Sequence, residues 1–190
     1  LAIPLFILAG NLMNATGITK RLMRLANVLT GHMYGNVGQV SCVLSTLMGG
    51  VSGSAVADAA METRILGPEM ERLGYAKGWA AAINGLSGLI VATIPPSMGL
   101  IIYGTVGEVS IGRLFMAGWV PGLLMMVLLM LATSWSARRF GYKPEHTQRA
   151  TLKQIGREIV SSIWALLFPV LLIVLIRFGI MSPSESGAFA

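Results

Sequence analysis

An all-α polytopic membrane protein is the fold class this sequence predicts, and three observations lead there. Hydrophobic residues make up 54% of the 190 and charged residues only 12%, half of the roughly 25% that a soluble domain carries. The mean hydropathy is +0.71, and the apolar residues come in long runs, unlike the short stripes of a soluble core helix. Two of those runs are interrupted, one by Gly and Ser and one by a Pro-Pro pair. The net charge of +6 does not point to nucleic acid. The basic residues sit at the ends of apolar runs, as bilayer orientation requires, and no aromatic-basic platform accompanies them. Cys42, the single cysteine, lies in an apolar stretch and reads as a small buried hydrophobe.

Residues 1–13 read as the tail of a membrane helix ended by Asn14-Ala15-Thr16-Gly17. The segment opens apolar without a basic n-region, so it is not a signal peptide. Residues 18–29 place Lys20, Arg21 and Arg24 against Leu22, Leu25 and Val28, an amphipathic surface helix on the cytoplasmic side; the first unit is thus 1–35. Within 36–75, residues 37–48 and 55–61 are apolar arms around Gly49-Gly50-Val51-Ser52-Gly53-Ser54. A twelve-residue arm reaches ~18 Å against a hydrocarbon core of ~30 Å. Neither arm spans, and the pair reads as a re-entrant hairpin followed by a charged link with Glu69, Glu71, Arg72 and Lys77. Irregular backbone at that depth is tolerated where it is buried in protein or lines a wet cavity.

The unit 76–106 is a membrane segment broken at Ile94-Pro95-Pro96-Ser97, since consecutive prolines remove two donors and expel the preceding residue from the helical region. A spanning helix follows in 107–137, then a basic cytoplasmic loop over 138–161 with Arg138, Arg139, Lys143, Arg149, Lys153 and Arg157, then a second span in 162–190. Residues 184–190 read as the start of another element, so the expectation is a piece of a longer protein. The consistent topology puts the Lys20 region, the hairpin base and the basic loop inside, and the Glu108 loop and Pro183 turn outside.

Two constellations can carry chemistry. At the hairpin tip, Ser52 and Ser54 supply hydroxyls beside carbonyls freed by the break, with Asp58 one turn later. Such oxygens suit a hard cation, and a half-helix N-terminus favours an anionic group. The same serines also suit close helix packing, and Ser54 or Asp58 also suits an N-cap. A carboxylate at membrane depth, however, is costly and usually faces a partner or a cavity. In the second constellation, around Thr93-Ile94-Pro95-Pro96-Ser97, the prolines free carbonyls one turn back; a simple kink is the plainer alternative. Two broken segments rich in hydroxyls are the pattern of a midplane transporter site. Gly50-Val51-Ser52-Gly53 also spells the GxSG of rhomboid-like intramembrane serine proteases, a chemistry that needs a nearby histidine; His32 and His146 are poorly placed for it. No metal-ligand cluster, phosphate loop or dinucleotide fingerprint is present, so no enzyme and no cofactor is expected.

Several stretches in order resemble one family. They are Pro4-Leu5-Phe6-Ile7-Leu8-Ala9-Gly10-Asn11, Gly53-Ser54-Ala55-Val56-Ala57-Asp58-Ala59-Ala60, Pro68-Glu69-Met70 with Gly74-Tyr75, Ile94-Pro95-Pro96-Ser97 with Ile101-Ile102-Tyr103-Gly104, and Ser182-Pro183-Ser184-Glu185. They resemble the large membrane (permease) subunit of tripartite ATP-independent periplasmic (TRAP) transporters. The resemblance implies an elevator-type, sodium-coupled importer of organic acids such as C4-dicarboxylates or sialic acid, in the bacterial inner membrane. It implies a small membrane subunit and a periplasmic solute-binding protein as partners, and a chain holding about one inverted repeat. By motif, it assigns sodium to Ser52, Ser54 and the backbone at Ile94 and Pro96; substrate contacts are expected at Ser54, Asp58 and Ser97. The chain departs from the family pattern at Val91-Ala92-Thr93-Ile94, where Gly-Pro-Ile-Ile is frequent, and at Glu62 and Thr63, where small or apolar residues are expected. The alternatives are a related carboxylate or ion transporter without a binding protein, and a structural anchor subunit.

Overall fold

The computed structural model describes residues 17–50, 52–144 and 150–178, with Leu8, Ile180 and Glu185. The predicted first run, the Pro183 turn and the element at 184–190 lie outside the described residues. The described residues form eight helices and no strand: α1 (Ile18–Thr30), α2 (Asn36–Gly49), α3 (Ala55–Arg72), α4 (Lys77–Thr93), α5 (Met98–Val106), α6 (Ile111–Phe140), α7 (Leu152–Ser161) and α8 (Ile163–Arg177).

Helices α2 and α3 form a hairpin whose two arms both pack on α4. Arm α2 is buried nearly all round, as a helix without a polar face must be. Arm α3 is longer than the sequence suggests. It continues through Pro68 to Arg72, and its buried residues are Asp58, Glu62, Leu66 and Met70. That i, i+4 stripe is a single helical face, so the segment read as a charged link is the exposed side of a one-sided helix.

Helix α4 runs parallel to α2, and their close approaches climb together. A Cβ on Gly38 would meet Trp79, and one on Gly49 would meet Val91 and Ile94. The ends of four helices gather at one place. Tyr75 packs on Trp79 and Tyr142 with ring centroids 5.1 and 4.4 Å apart, and Trp79 and Tyr142 are 5.2 Å apart. The Tyr75 hydroxyl donates to Asn36 Oδ1 at 3.0 Å, and the Ala76 amide donates to the Tyr142 hydroxyl at 2.9 Å. The starts of α2 and α4 and the ends of α3 and α6 are thereby locked together. Helix α6 stops there with Gly141 at φ +78° and with the Tyr142 amide on the Ala137 carbonyl at 2.8 Å, the six-to-one bond of a Schellman ending.

Among the described residues one helix, α6, is long and apolar enough to cross a membrane, with a mean hydropathy of 2.2 in its best window. Helices α4 and α5 pass the same test together, bent by 46° at the break. The stretch 138–161 is not a plain loop. Helix α6 extends to Phe140, and α7 forms a separate helix, opened where Gln154 Oε1 accepts from the Thr151 amide at 3.0 Å. Helix α7 lies along α1, where Arg21 donates to the Ser161 carbonyl at 3.3 Å.

Candidate functional site

The hairpin tip and the break in α4–α5 meet. Helix α2 ends at Gly49, α3 begins at Ala55, and α4 and α5 are separated by residues 94–97. Gly53, at φ +60°, lies so close to the break that an ideal Cβ would stand 2.5 Å from the Pro96 carbonyl oxygen. The Met98 amide, the first of α5, donates to the Gly53 carbonyl at 3.2 Å. Contact between the two interruptions is therefore backbone on backbone, which glycine alone permits at this distance and φ. The Pro95–Pro96 peptide is cis.

Around this crossing the predicted residues take different positions. Ser52, buried, donates its hydroxyl to the Asp58 carboxylate, and its amide bonds the Met48 carbonyl at 2.8 Å. Asp58 is 1% exposed and stands in the first turn of α3, where the positive end of the helix dipole favours a negative charge. Of the two capping candidates, Ser54 holds the N-cap position of α3 but makes no side-chain cap bond; its carbonyl accepts the Asp58 amide at 3.0 Å. Ser97, fully buried, turns its hydroxyl back to the Ala92 carbonyl at 2.6 Å, covering one acceptor that the prolines leave without an amide. The Val91 carbonyl is the other acceptor that loses its helical amide, because Pro95 has none to give.

Ile94 is present as a side chain as well as backbone. It is fully buried and fits between Gly49 of α2, whose Cβ would lie 3.0 Å from it, and Gly122 of α6, whose Cβ would lie 2.4 Å from it. One turn away, a Cβ on Gly118 would lie 2.6 Å from the Thr93 carbonyl. The two glycines, four residues apart, form a slot in α6 that receives the break. The site thus holds one carboxylate, one hydroxyl aimed at it, the Pro96 carbonyl against Gly53, and the Gly53 carbonyl bonded to the Met98 amide.

A second polar cluster lies deeper in the hairpin. Glu62, fully buried, accepts from Ser45 at 2.6 Å on one oxygen, and from Ser41 at 2.6 Å and Ser87 at 3.0 Å on the other. In the sequence Glu62 stands beyond the expected end of the second arm. The signal that finds it is Ser41 and Ser45 four apart on one arm, facing an acid four residues after Asp58. The GxSG alternative gains no histidine among the described residues, since Ser52 bonds Asp58 and the Met48 carbonyl.

The sequence matches the family described as "Tripartite ATP-independent periplasmic transporter, DctM component" over residues 1–190. It is 43% identical over 190 residues to the 2,3-diketo-L-gulonate TRAP transporter large permease protein YiaN of Escherichia coli, covering all of this chain and 44% of that protein. It is 40% identical to the sialic acid TRAP transporter permease protein SiaT of Haemophilus influenzae, covering all of this chain and 30% of that protein. It is 33% identical over 204 residues to the C4-dicarboxylate TRAP transporter large permease protein DctM of Rhodobacter capsulatus, covering all of this chain and 46% of that protein. The chain therefore spans less than half the length of these relatives. Their family is one of membrane-embedded transport permeases and not of enzymes, which leaves the protease reading without support. On the whole-chain match, and on relatives named as TRAP transporter permeases, this chain belongs to the DctM family of TRAP transporter large permeases.

Proposed function

We propose that this chain is part of the membrane subunit of a sodium-coupled importer of organic acids, and that the crossing of Gly53 with Pro96 forms one of its sodium sites. The observation that carries this reading is the backbone contact between the two interruptions. Opposed helix breaks are how membrane transporters bring unpaired carbonyls and helix ends to an ion. The Pro96 and Gly53 carbonyls and the Ser52–Asp58 pair provide neutral and anionic oxygens of the type hard cations take. Ser54, Ser97 and Asp58 stand at the N-terminal ends of α3 and α5, where a substrate carboxylate would meet helix dipoles. Matched relatives are named for gulonate, sialic acid and dicarboxylate transport, which supports an acid as the substrate class.

In this reading the hairpin is re-entrant. Its arms rise from the aromatic base, where Tyr75, Trp79 and Tyr142 mark one membrane interface. The 17 residues of α4 carry the break ~25 Å from that base, and the 9 residues of α5 continue for a further ~14 Å. The basic surface of α1 and the end of α6 support a base on the cytoplasmic side of a multi-pass protein in the bacterial inner membrane. The hairpin and broken helix belong to the moving part of an elevator. A small membrane subunit and a periplasmic solute-binding protein complete the system.

The test is uptake of a labelled organic acid into proteoliposomes holding the full-length permease and small subunit, with an inward Na⁺ gradient. Uptake that needs both Na⁺ and an added binding protein supports the reading. Uptake that needs Na⁺ alone favours a carboxylate transporter without a binding protein, and uptake indifferent to Na⁺ sinks the sodium site.

A further inference from the structure

Glu62 is a buried carboxylate without a counter-charge. It is fully buried on the inner face of α3, and its described contacts are hydroxyls: Ser41 and Ser45 from α2 and Ser87 from α4. The ion pairs among the described residues, Arg72–Glu69 and Lys77–Glu71, lie elsewhere and are exposed. Asp58, one turn along the same face, is another acid and offers nothing to balance it. Buried charges are ordinarily paired or coordinate a metal, and an acid at membrane depth marks an ion path.

The cluster also has unused capacity. Asn84, one turn before Ser87 on the buried face of α4, is 1% exposed, and both its side-chain oxygen and its nitrogen lack a partner. The Ser87 hydroxyl lies 3.0 Å from the Asn84 backbone carbonyl, 3.0 Å from Glu62 and 2.9 Å from the Ser41 hydroxyl. A buried primary amide with neither end satisfied is costly and needs an occupant beside it. Toward the base, Leu66, Met70 and Tyr75 continue as part of the apolar core, and toward the tip the next residue on the buried face is Asp58.

We propose that Glu62, with Ser41, Ser45, Ser87 and the Asn84 amide oxygen, forms a second site for a monovalent cation, Na⁺, inside the hairpin and separate from the tip. One carboxylate balances one Na⁺, and the three hydroxyl oxygens and the amide oxygen complete an all-oxygen shell from three helices. The hydroxyls that donate to Glu62 can present lone pairs to the ion when it binds.

This goes beyond the tip site and is separable from it by counting ions. Equilibrium dialysis with ²²Na⁺ on the purified full-length permease measures bound ions per protein. Glu62→Gln keeps the shape and removes the charge, and it is expected to bind one Na⁺ fewer than wild type. Ser45→Ala removes a single ligand with little loss of packing, and about tenfold weaker binding of one ion is expected. Both are checked for a monodisperse profile, and Ser45→Ala carries the test if Glu62→Gln does not fold. An unchanged count and affinity in the variants overturns the proposal. If Ser52→Ala loses an ion while Glu62→Gln does not, the tip reading stands and this one fails. If Glu62→Gln loses an ion while Ser52→Ala does not, this one stands and the tip reading fails.

Discussion

At the base of the hairpin, three aromatic rings and the Tyr75 and Tyr142 hydroxyls tie four helix ends together through side chains. At the tip the two interruptions meet through backbone: Gly53 lies on the Pro96 carbonyl and accepts from the Met98 amide. Aromatic side chains secure a joint by area and tolerate small changes at its rim. A backbone crossing secures it by fit. If the tip is the proposed sodium site, substitutions should separate stability at the base from ion dependence at the tip, along one hairpin.

The largest separation is expected from Gly53→Ala. Its Cβ would strike the Pro96 oxygen, and an alanine at that φ is strained besides. Together these amount to about 3 kcal/mol, so Na⁺-driven uptake should fall about a hundredfold while the protein still purifies as a folded species. Uptake close to wild type would show that the crossing is not the site. Next comes Ser52→Ala, which strips the hydroxyl from Asp58. An effect of about 1–2 kcal/mol predicts roughly a tenfold higher Na⁺ concentration for half-maximal uptake, read from a Na⁺ titration.

At the base the order reverses. Tyr142→Phe loses the bond to the Ala76 amide, about 1 kcal/mol of stability visible as a lower melting temperature in detergent, with Na⁺ dependence unchanged. A shifted Na⁺ dependence there would erase the distinction between the two ends. The smallest effect belongs to the exposed Glu69–Arg72 pair near the end of α3. The Arg72 hydrogen bond, and then its charge, hold the Glu69 carboxyl below its ordinary range. A depressed carboxyl stabilises above its unfolded pKa and loses that contribution as pH falls through its folded pKa. Arg72→Ala should therefore cost under about 0.5 kcal/mol near neutral pH, a difference that shrinks on acidification in melting curves.

Much of this arrangement is legible from residue order, because its strongest signals are local. Pro95-Pro96 must break a helix, and Gly-Ser runs between apolar arms must turn. The amphipathic α1 follows from the alternation of Leu22 and Leu25 with Lys20, Arg21 and Arg24. What was missed depends on periodicity across charged or broken stretches. Glu69, Glu71 and Arg72 read as part of a link, yet Asp58, Glu62, Leu66 and Met70 repeat every four residues and bury one face. In 138–161 the Thr151–Gln154 start and the apolar Leu152, Ile155 and Ile159 describe α7, hidden by the density of basic residues. The Glu62 cluster was illegible for a different reason: three serines from two other helices become its partners only after folding. The cradle for Ile94 is likewise a matter of tertiary distance, although Gly118 and Gly122 stand four apart in the sequence.

That cradle decides which parts can travel together. Ile94 enters a notch in α6 with no room for even a methyl group, while Gly49 of the hairpin closes on its other side. A side chain gripped from both sides acts like a dowel through three planks. Sliding the hairpin past α6 would require drawing the dowel out, with the loss of its buried contacts. Any movement of the hairpin that leaves this joint intact therefore carries α4 and α6 along with it.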